Sequence, residues 1–376
     1  MRKYYQFMAG NANLRAADKA QNDEFYTQYA DIQKEINAYI EYNPDVFRGK
    51  TILLPCDDPE WSNFTKFFAQ NFEAFGLKKL ISTSYAIESK KYKTDWQPTL
   101  FETENPNYDV DKTKTHGKIF TLTHDTNQNG RIDIDDLQWE YLEGDGDFRS
   151  KEVTALRDEA DIIITNPPFS LFREFLAWIL GTSGTQASVL ANGERVPIVA
   201  GEDAYVPSKQ FLIIGSMNAI TYKEVFPLIK ENKIWLGISS GSKTYLTFDG
   251  RTQTMGNTCW FTNLDHGRRH EPLKLMTMED NLRFNKKLKG QNGYFHYDNY
   301  DAIEVPYTEC IPSDYEGTMG VPISFLDKYC PEQFEIIDGI GRYSILDNER
   351  TKKEGKYLSM INGQPKFFRI IIRKKQ

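Results

Sequence analysis

Apolar side chains at Phe25, Tyr29, Ile32, Ile36 and Ile40 recur at helical spacing and predict an amphipathic helix over Phe25–Ile40. Thr51-Ile-Leu-Leu-Pro-Cys56 is a short unbroken apolar run, the pattern of a buried strand. A second helix follows, with Phe64, Phe67, Phe68, Phe72 and Phe75 inward and Gly76 as its stop. Leu77–Tyr85 then reads as a strand, and strand–helix–strand order implies parallel pairing through a right-handed crossover. The alternation resumes with a strand at Asp161–Thr165 and a helix, capped by Ser170, running to Leu180. Residues 181–208 read as a loop or hairpin excursion. Phe211–Gly215, a helix over 222–230 and Ile234–Ile238 form a further unit, and Thr244–Phe248 and Thr258–Thr262 predict hairpin strands. The fold class expected is α/β, a doubly wound sheet with late antiparallel strands, whose ligands sit at the carboxyl ends of the strands.

At 376 residues and 43.6 kDa, with 40 % apolar and 26 % charged side chains, the chain has material for about two domains and a sizeable core. No apolar run approaches the ~18 residues that cross a bilayer, and Met1–Leu14 lacks a signal peptide's apolar stretch. Cys56, Cys259, Cys310 and Cys330 form no C-x-x-C pair, which argues against a zinc ribbon or disulfide framework. The five histidines show no metal spacing. A cytoplasmic, soluble protein is expected.

The net charge of -7 is unevenly spread. Residues 211–376 carry 23 basic and 20 acidic side chains, against 23 and 33 in residues 1–210. The densest basic stretch, Asp265–Gly290, holds Arg268, Arg269, Lys274, Arg283, Lys286, Lys287 and Lys289. Such a stretch can meet phosphates or be an ordinary solvated face.

Asn166-Pro-Pro-Phe169 directly follows the strand Asp161–Thr165. It suits methylation of an amino group conjugated to a ring, whose delocalised lone pair makes it a poor nucleophile. The Asn166 side-chain oxygen and the Pro167 carbonyl can accept from its two N–H groups and favour a pyramidal, reactive nitrogen. Pro167 and Pro168 fix φ and so the direction of that carbonyl. Phe169 offers a flat face to a base swung out of its stack. The alternative is a Pro-Pro loop that merely ends a buried strand. Trp260 is a second candidate base support, or simply core.

Asp125, Asn127 and Asn129 occupy positions one, three and five of a calcium-loop pattern, with Gly130 at six, Arg131 at seven, and Asp133 and Asp136 at nine and twelve. The same residues also read as a polar Asn/Asp/Gly turn.

Several segments together resemble the adenine-N6 DNA methyltransferases, and within them the EcoRI modification-methylase type. They are Asn22-Asp-Glu-Phe-Tyr-Thr27, Cys56-Asp-Asp-Pro-Glu-Trp-Ser-Asn63, Gly144-Asp-Gly-Asp-Phe148, Asn166-Pro-Pro-Phe169, Gly320-Val-Pro-Ile-Ser-Phe-Leu-Asp-Lys328 and Pro331-Glu-Gln-Phe334. The resemblance implies a Rossmann-like sheet binding S-adenosylmethionine over residues 1–264, with an insertion at about 86–143, and a DNA target-recognition region over 265–376. It implies that Phe25, Tyr26 and Thr27 approach the cofactor's methionine part. Asp57 and Asp58 would meet its ammonium group, Ser62 and Asn63 its carboxylate, Asp147 the adenine amino group and Phe148 the adenine ring. Asn166, Pro167, Pro168 and Phe169 would be catalytic, and Arg268, Arg269, Lys286, Lys287 and Lys289 would hold DNA. Two features depart from the broader pattern: no Gly lies between Thr51 and Phe75, and Ile81–Tyr85 carries no acid for the ribose. Tyr85 or Ser84, or one of Asp57 and Asp58, is left for that role.

The function expected is transfer of a methyl group to N6 of a flipped adenine in duplex DNA, with a cognate restriction enzyme as a further partner. Alternatives are methylation of RNA or of a protein glutamine, or a calcium-binding interaction module on a degenerate methyltransferase fold.

Overall fold

The computed structural model describes residues 25–58, 62–86, 103–128, 130, 132, 136, 138–181, 209–247, 251–288, 290–341, 344–346 and 357–375. Two compact units appear: Met1–Ser216 with Ser239–Leu264, and Met217–Ile238 with Asp265–Gln376. Met217–Ile238, inside the expected 1–264 domain, groups with the C-terminal part.

In chain order the first unit holds β1 (Phe25–Thr27), α1 (Tyr29–Tyr42), β2 (Thr51–Leu54), α2 (Asn63–Gln70) and β3 (Lys79–Ser84). There follow β4 (Lys118–Leu122), β5 (Gln138–Tyr141), α3 (Lys151–Glu159), β6 (Ile162–Thr165), α4 (Phe172–Leu180) and β7 (Gln210–Ser216). After α5 (Phe226–Lys230) of the second unit, β8 (Trp235–Thr247) enters at Ser239 and β9 (Thr252–Thr262) completes the sheet. The strand order is β1-β8-β9-β7-β6-β2-β3-β4-β5. Its centre, β7-β6-β2-β3, is parallel, and β9, β4 and β5 pair antiparallel beside it. The link between β8 and β9 is too short for a parallel crossover, so they too run antiparallel. This is a mixed α/β fold with one large sheet.

The central strands form because their runs are apolar and β-branched, and both faces are covered: β2 and β6 are buried at every residue. Ile52, Leu54, Ile162, Ile164, Leu212 and Ile214 share one core with Ile32, Ile36 and Tyr39 of α1 and Phe64, Phe67 and Phe68 of α2. On α4, Phe172, Phe175, Leu176 and Ile179 are buried. Among the described helices, none is long and apolar enough to cross a membrane.

Five expectations are corrected. Phe25–Thr27 is a strand, not the start of a helix, because it pairs antiparallel with Tyr245–Thr247 of β8. The run from Thr51 leaves the sheet after Leu54, since Pro55 has no N–H and Cys56 adopts φ 68°. Ser170 does not cap α4; it lies in a 3-10 turn, Phe169–Leu171, and Leu171 is the N-cap without a side-chain cap bond. Residues 222–230 are helical only over Phe226–Lys230, after a 3-10 turn at Met217–Thr221. The two strands expected at 234–238 and 244–248 are one strand, β8, which passes through Gly241 at φ 108°. The insertion contributes edge strands β4 and β5, whose short polar-apolar runs gave little signal. Nearly all of the 181–208 excursion lies outside the described residues.

The second unit contains α6 (Met278–Phe284) and a four-stranded sheet, β10 (Ile303–Glu304), β11 (Met319–Val321), β15 (Arg369–Lys374) and β12 (Phe334–Ile340), in that order. Between β12 and β15 lies a two-residue hairpin pair, β13 (Met360–Ile361) and β14 (Gln364–Pro365). Tyr297, Ala302, Ile340, Leu358, Ile361 and Ile371 form its core. Phe226 joins this unit by packing edge-on to Phe368, with ring centroids 6.0 Å apart. The C-terminal motifs have structural duties here. A side chain at Gly320 would run into the Tyr297 ring, and the Gln333 carboxamide bonds both the N–H and the C=O of Leu273, at 2.7 and 2.9 Å.

Candidate active site

Because β3, β2 and β6 are parallel, the loops after Leu54, Ser84 and Thr165 emerge on one edge of the sheet. The first makes a sharp turn at Cys56, whose left-handed backbone does what a glycine usually does, at a conformational cost of about 1 kcal/mol or more. The turn brings the Asp57 carboxylate inward: Ser62 Oγ donates to Oδ1 at 2.7 Å and Thr165 Oγ1 to Oδ2 at 2.5 Å. Ser62 is also the N-cap of α2, accepting from the Phe64 N–H at 3.1 Å. The Asp58 carbonyl accepts the Ser62 N–H at 2.6 Å. Pro59, Glu60 and Trp61 lie outside the described residues.

Asn63, first in α2, donates from Nδ2 to the Thr27 carbonyl at 2.8 Å. Thr27 is held from the other side by its pairing with Tyr245. Its hydroxyl is buried and has no hydrogen-bond partner among the described residues. A buried hydroxyl left so costs free energy unless something bonds it.

Asn166 follows Thr165 directly, and its side-chain oxygen is buried. Pro168 enters the 3-10 turn at φ −53°, with the Leu171 N–H bonded to its carbonyl at 2.9 Å. Phe169 then packs between the main core and a small cluster of Tyr245 and Met255 from the β8–β9 hairpin. One strand thus serves both ends of the site: Tyr245 pairs with Thr27 along the backbone and backs Phe169 with its ring.

A family model described as "Adenine-specific methyltransferase EcoRI" matches residues 13–187 and 204–375. The chain belongs to this family. The Type II methyltransferase M.EcoRI of Escherichia coli is 37 % identical over 98 % of this chain and 98 % of its own length. M.MpnI of Mycoplasma pneumoniae is 30 % identical over 96 % of this chain and 97 % of its own. M.MgeORF184P of Mycoplasma genitalium is 30 % identical over 97 % and 99 %. No solved structure matches the chain.

A methyltransferase of this family uses S-adenosylmethionine, and the residues at the sheet edge fit that group. The Thr27 hydroxyl is buried with no hydrogen-bond partner among the described residues, and α2 opens with N–H groups suited to a carboxylate.

The loop Gly144–Phe148 lies at the end of β3, where the Ala86 N–H bonds the Asp145 carbonyl at 2.7 Å. Gly146 has φ 84°, and a Cβ there would meet the Ser84 carbonyl oxygen at 2.3 Å, so only glycine allows this approach. The Asp147 carboxylate is held by Arg149 at 2.6 Å, which keeps it below the usual carboxylate range even though burial opposes this. Arg149 also reaches Glu174 at 3.1 Å. Phe148 is 3 % exposed, edge-on to Phe175 and Trp178, which leaves it little ring surface to offer a ligand. The Ser84 hydroxyl accepts from the Lys118 N–H at 3.2 Å. Asp145, in the same loop, meets the end of β3 through its main-chain carbonyl, while its carboxylate accepts the Asp147 N–H at 3.1 Å. The sequence alone did not single out Tyr245 and Met255, because nothing local ties them to Phe169.

Trp260 is fully buried, edge-on to Phe64, with Nε1 donating to Ser239 Oγ at 3.1 Å; it belongs to the core. In the calcium-like loop, Asp125 Oδ2 accepts the Gly130 N–H at 2.9 Å. Asp136 is fully buried, and its Oδ1 takes the Thr126 and Asn127 N–H groups at 2.8 and 3.1 Å and the Thr126 hydroxyl at 3.1 Å. These bonds close the turn on itself. No metal-holding cluster of His, Cys, Asp or Glu occurs among the described residues. Asn129, Arg131 and Asp133 lie outside them.

The five basic residues expected on DNA are placed unequally. Arg269 is 8 % exposed, stacked 3.7 Å from the Trp235 ring centroid and bonded to Asn232 and Asp265. Arg268 donates to the Ile238 carbonyl. Lys287 pairs with Glu309, and Lys286 is exposed. Lys289 lies outside the described residues.

Proposed function

We propose that this enzyme transfers a methyl group from S-adenosylmethionine to N6 of an adenine swung out of duplex DNA, at a specific sequence. The observation that carries this reading is the placement of Asn166–Phe169 at the carboxyl end of β6, fastened through Thr165 to the Asp57 loop. The relatives, named as Type II methyltransferases, support DNA as the substrate and a restriction enzyme of matching specificity as companion. A DNA-modifying enzyme of that kind works in the cytoplasm.

The cofactor supplies an electrophilic methyl on sulfur. Thr27 and Asn63 hold its amino-acid end, with the first N–H groups of α2 on its carboxylate. Asp57 orders the Ser62 and Thr165 hydroxyls. Asn166 Oδ1 and the Pro167 carbonyl accept from the adenine amino group and raise its nucleophilicity. Phe169, backed by Tyr245 and Met255, stacks on the extruded base, which helps offset the few kcal/mol of unstacking. The second unit recognises the target. For calcium, only the sequence spacing speaks in favour; the bonds of Asp136 favour the polar turn.

Expression in a methylation-free host, followed by sequencing of modified bases, tests this. N6-methyladenine at one motif, absent with Asn166→Ala, is the expected result. Methyl transfer to RNA or to a protein glutamine instead of DNA overturns it.

A further inference from the structure

Phe284 ends α6 with 61 % of its surface exposed, while Asn281 and Leu288 on either side are buried. A large aromatic turned outward while its neighbours anchor the segment is unusual in a chain with this much core to fill. The Arg283 guanidinium lies 5.0 Å from the Phe284 ring centroid. Nearby, Lys287 Nζ lies 4.4 Å from the ring centroid of Tyr307, which is 43 % exposed. Asn285 Nδ2 donates to Cys310 Sγ at 3.1 Å, so the end of α6 and the turn at Thr308–Cys310 form one surface. Lys286 is exposed there too and makes no ion pair among the described residues. Glu309, held below its usual range by Lys287, is the acid that pairs with this group.

Cations interleaved with exposed rings complement a polyanion that also presents flat apolar edges. We propose that Arg283, Phe284, Lys286 and Tyr307 form the face that contacts duplex DNA, with the cations on phosphates and Phe284 against the sugars and base edges. This rests on the duplex-DNA reading above. It moves the contact away from Arg268 and Arg269, whose guanidinium groups are engaged within their own unit. Lys287 stands in reserve, neutralised by Glu309.

The test uses the full chain and a short labelled duplex carrying the methylated motif, beside a scrambled duplex, over a series of salt concentrations. Arg283→Gln with Lys286→Gln weakens binding to both duplexes by about tenfold or more and lowers the salt slope by about two. Phe284→Ala weakens binding to the motif duplex by about tenfold with its salt slope unchanged, because a phenyl ring releases no counterions; Phe284→Tyr restores it. Glu309→Gln frees Lys287, tightens binding and steepens the slope by about one. Melting temperature and cofactor binding stay at wild-type values in all four. Unchanged DNA affinity and slope in these variants overturns the proposal, as does self-association of the wild type that Phe284→Ala abolishes. A wild type that methylates duplex DNA while the variants bind normally defeats only this face. A wild type that methylates no DNA defeats the reading beneath it.

Discussion

The Thr165 hydroxyl lies 2.5 Å from Asp57 Oδ2 and 2.7 Å from the Pro55 carbonyl oxygen. Its single hydrogen is shared between two acceptors on the neighbouring loop, and Thr165 is fully buried. The residue before Asn166 is thereby fastened to the turn Pro55–Asp57, more than a hundred positions earlier. The two loops that the proposed reaction assigns to cofactor and base are held as one piece.

Thr165→Val keeps the shape and removes the hydroxyl, leaving a buried carboxylate short of one donor. A loss of about 1–3 kcal/mol in stability is expected, with weaker cofactor binding and slower methyl transfer together. Thr165→Ser restores all three. Denaturant unfolding and calorimetric titration with the cofactor measure this.

Asn166→Ala removes the acceptor proposed to act on the amino group. Methyl transfer slows by about 10²-fold or more, while cofactor affinity stays within a few-fold of wild type. Single-turnover kinetics on duplex DNA separate the two, and near-normal turnover defeats the assigned role.

Tyr245 and Met255 hold Phe169 from behind. Met255→Ala opens a cavity costing about 2–5 kcal/mol and loosens the ring. Tyr245→Phe keeps the packing while giving up the hydroxyl's bond to Thr258 at 3.2 Å, so it remains close to wild type in rate. With a fluorescent adenine analogue at the target, Met255→Ala shows diminished extrusion and Tyr245→Phe does not.

Asp136 separates the two readings of its loop. If its carboxylate serves the turn, Asp136→Ala lowers the melting temperature equally in calcium and in chelator. A calcium-raised melting temperature in the wild type that the variant lacks establishes the metal reading instead.

His270 is clamped between Asp265, at 2.9 Å, and Glu332, at 3.0 Å, and the bond to Asp265 contributes most to raising its pKa. A raised histidine contributes stability that is complete below its unfolded value of about 6.5 and disappears as pH rises through the folded value. His270→Gln therefore destabilises the protein at pH 6 more than at pH 8. His266 works in the opposite sense, since burial lowers its pKa and protonation at acid pH disfavours the fold. A stability difference for His270→Gln that does not change with pH refutes the clamp.

The sequence by itself determined the parallel centre of the sheet and the position of the segment Asn166–Phe169 at its edge. Ile162–Thr165 has one way to bury four consecutive apolar or β-branched residues, and Asn166-Pro-Pro-Phe169 can only follow it at the strand's end. Local pattern was enough, because periodicity and proline geometry act within a few residues. What the tertiary structure decided were the relations between distant segments. Phe25–Thr27 reads as helix in isolation and becomes a strand because the edge of β8 offers its N–H and C=O groups partners. Arg268 and Arg269 read as phosphate ligands, yet Arg269 is closed over by Trp235 and Asn232. The polar-apolar runs of β4 and β5 join the sheet only because β3 leaves them an edge. Such outcomes depend on which side chain meets which across tens or hundreds of residues, and free energy of burial and pairing is assigned only when the chain has closed on itself.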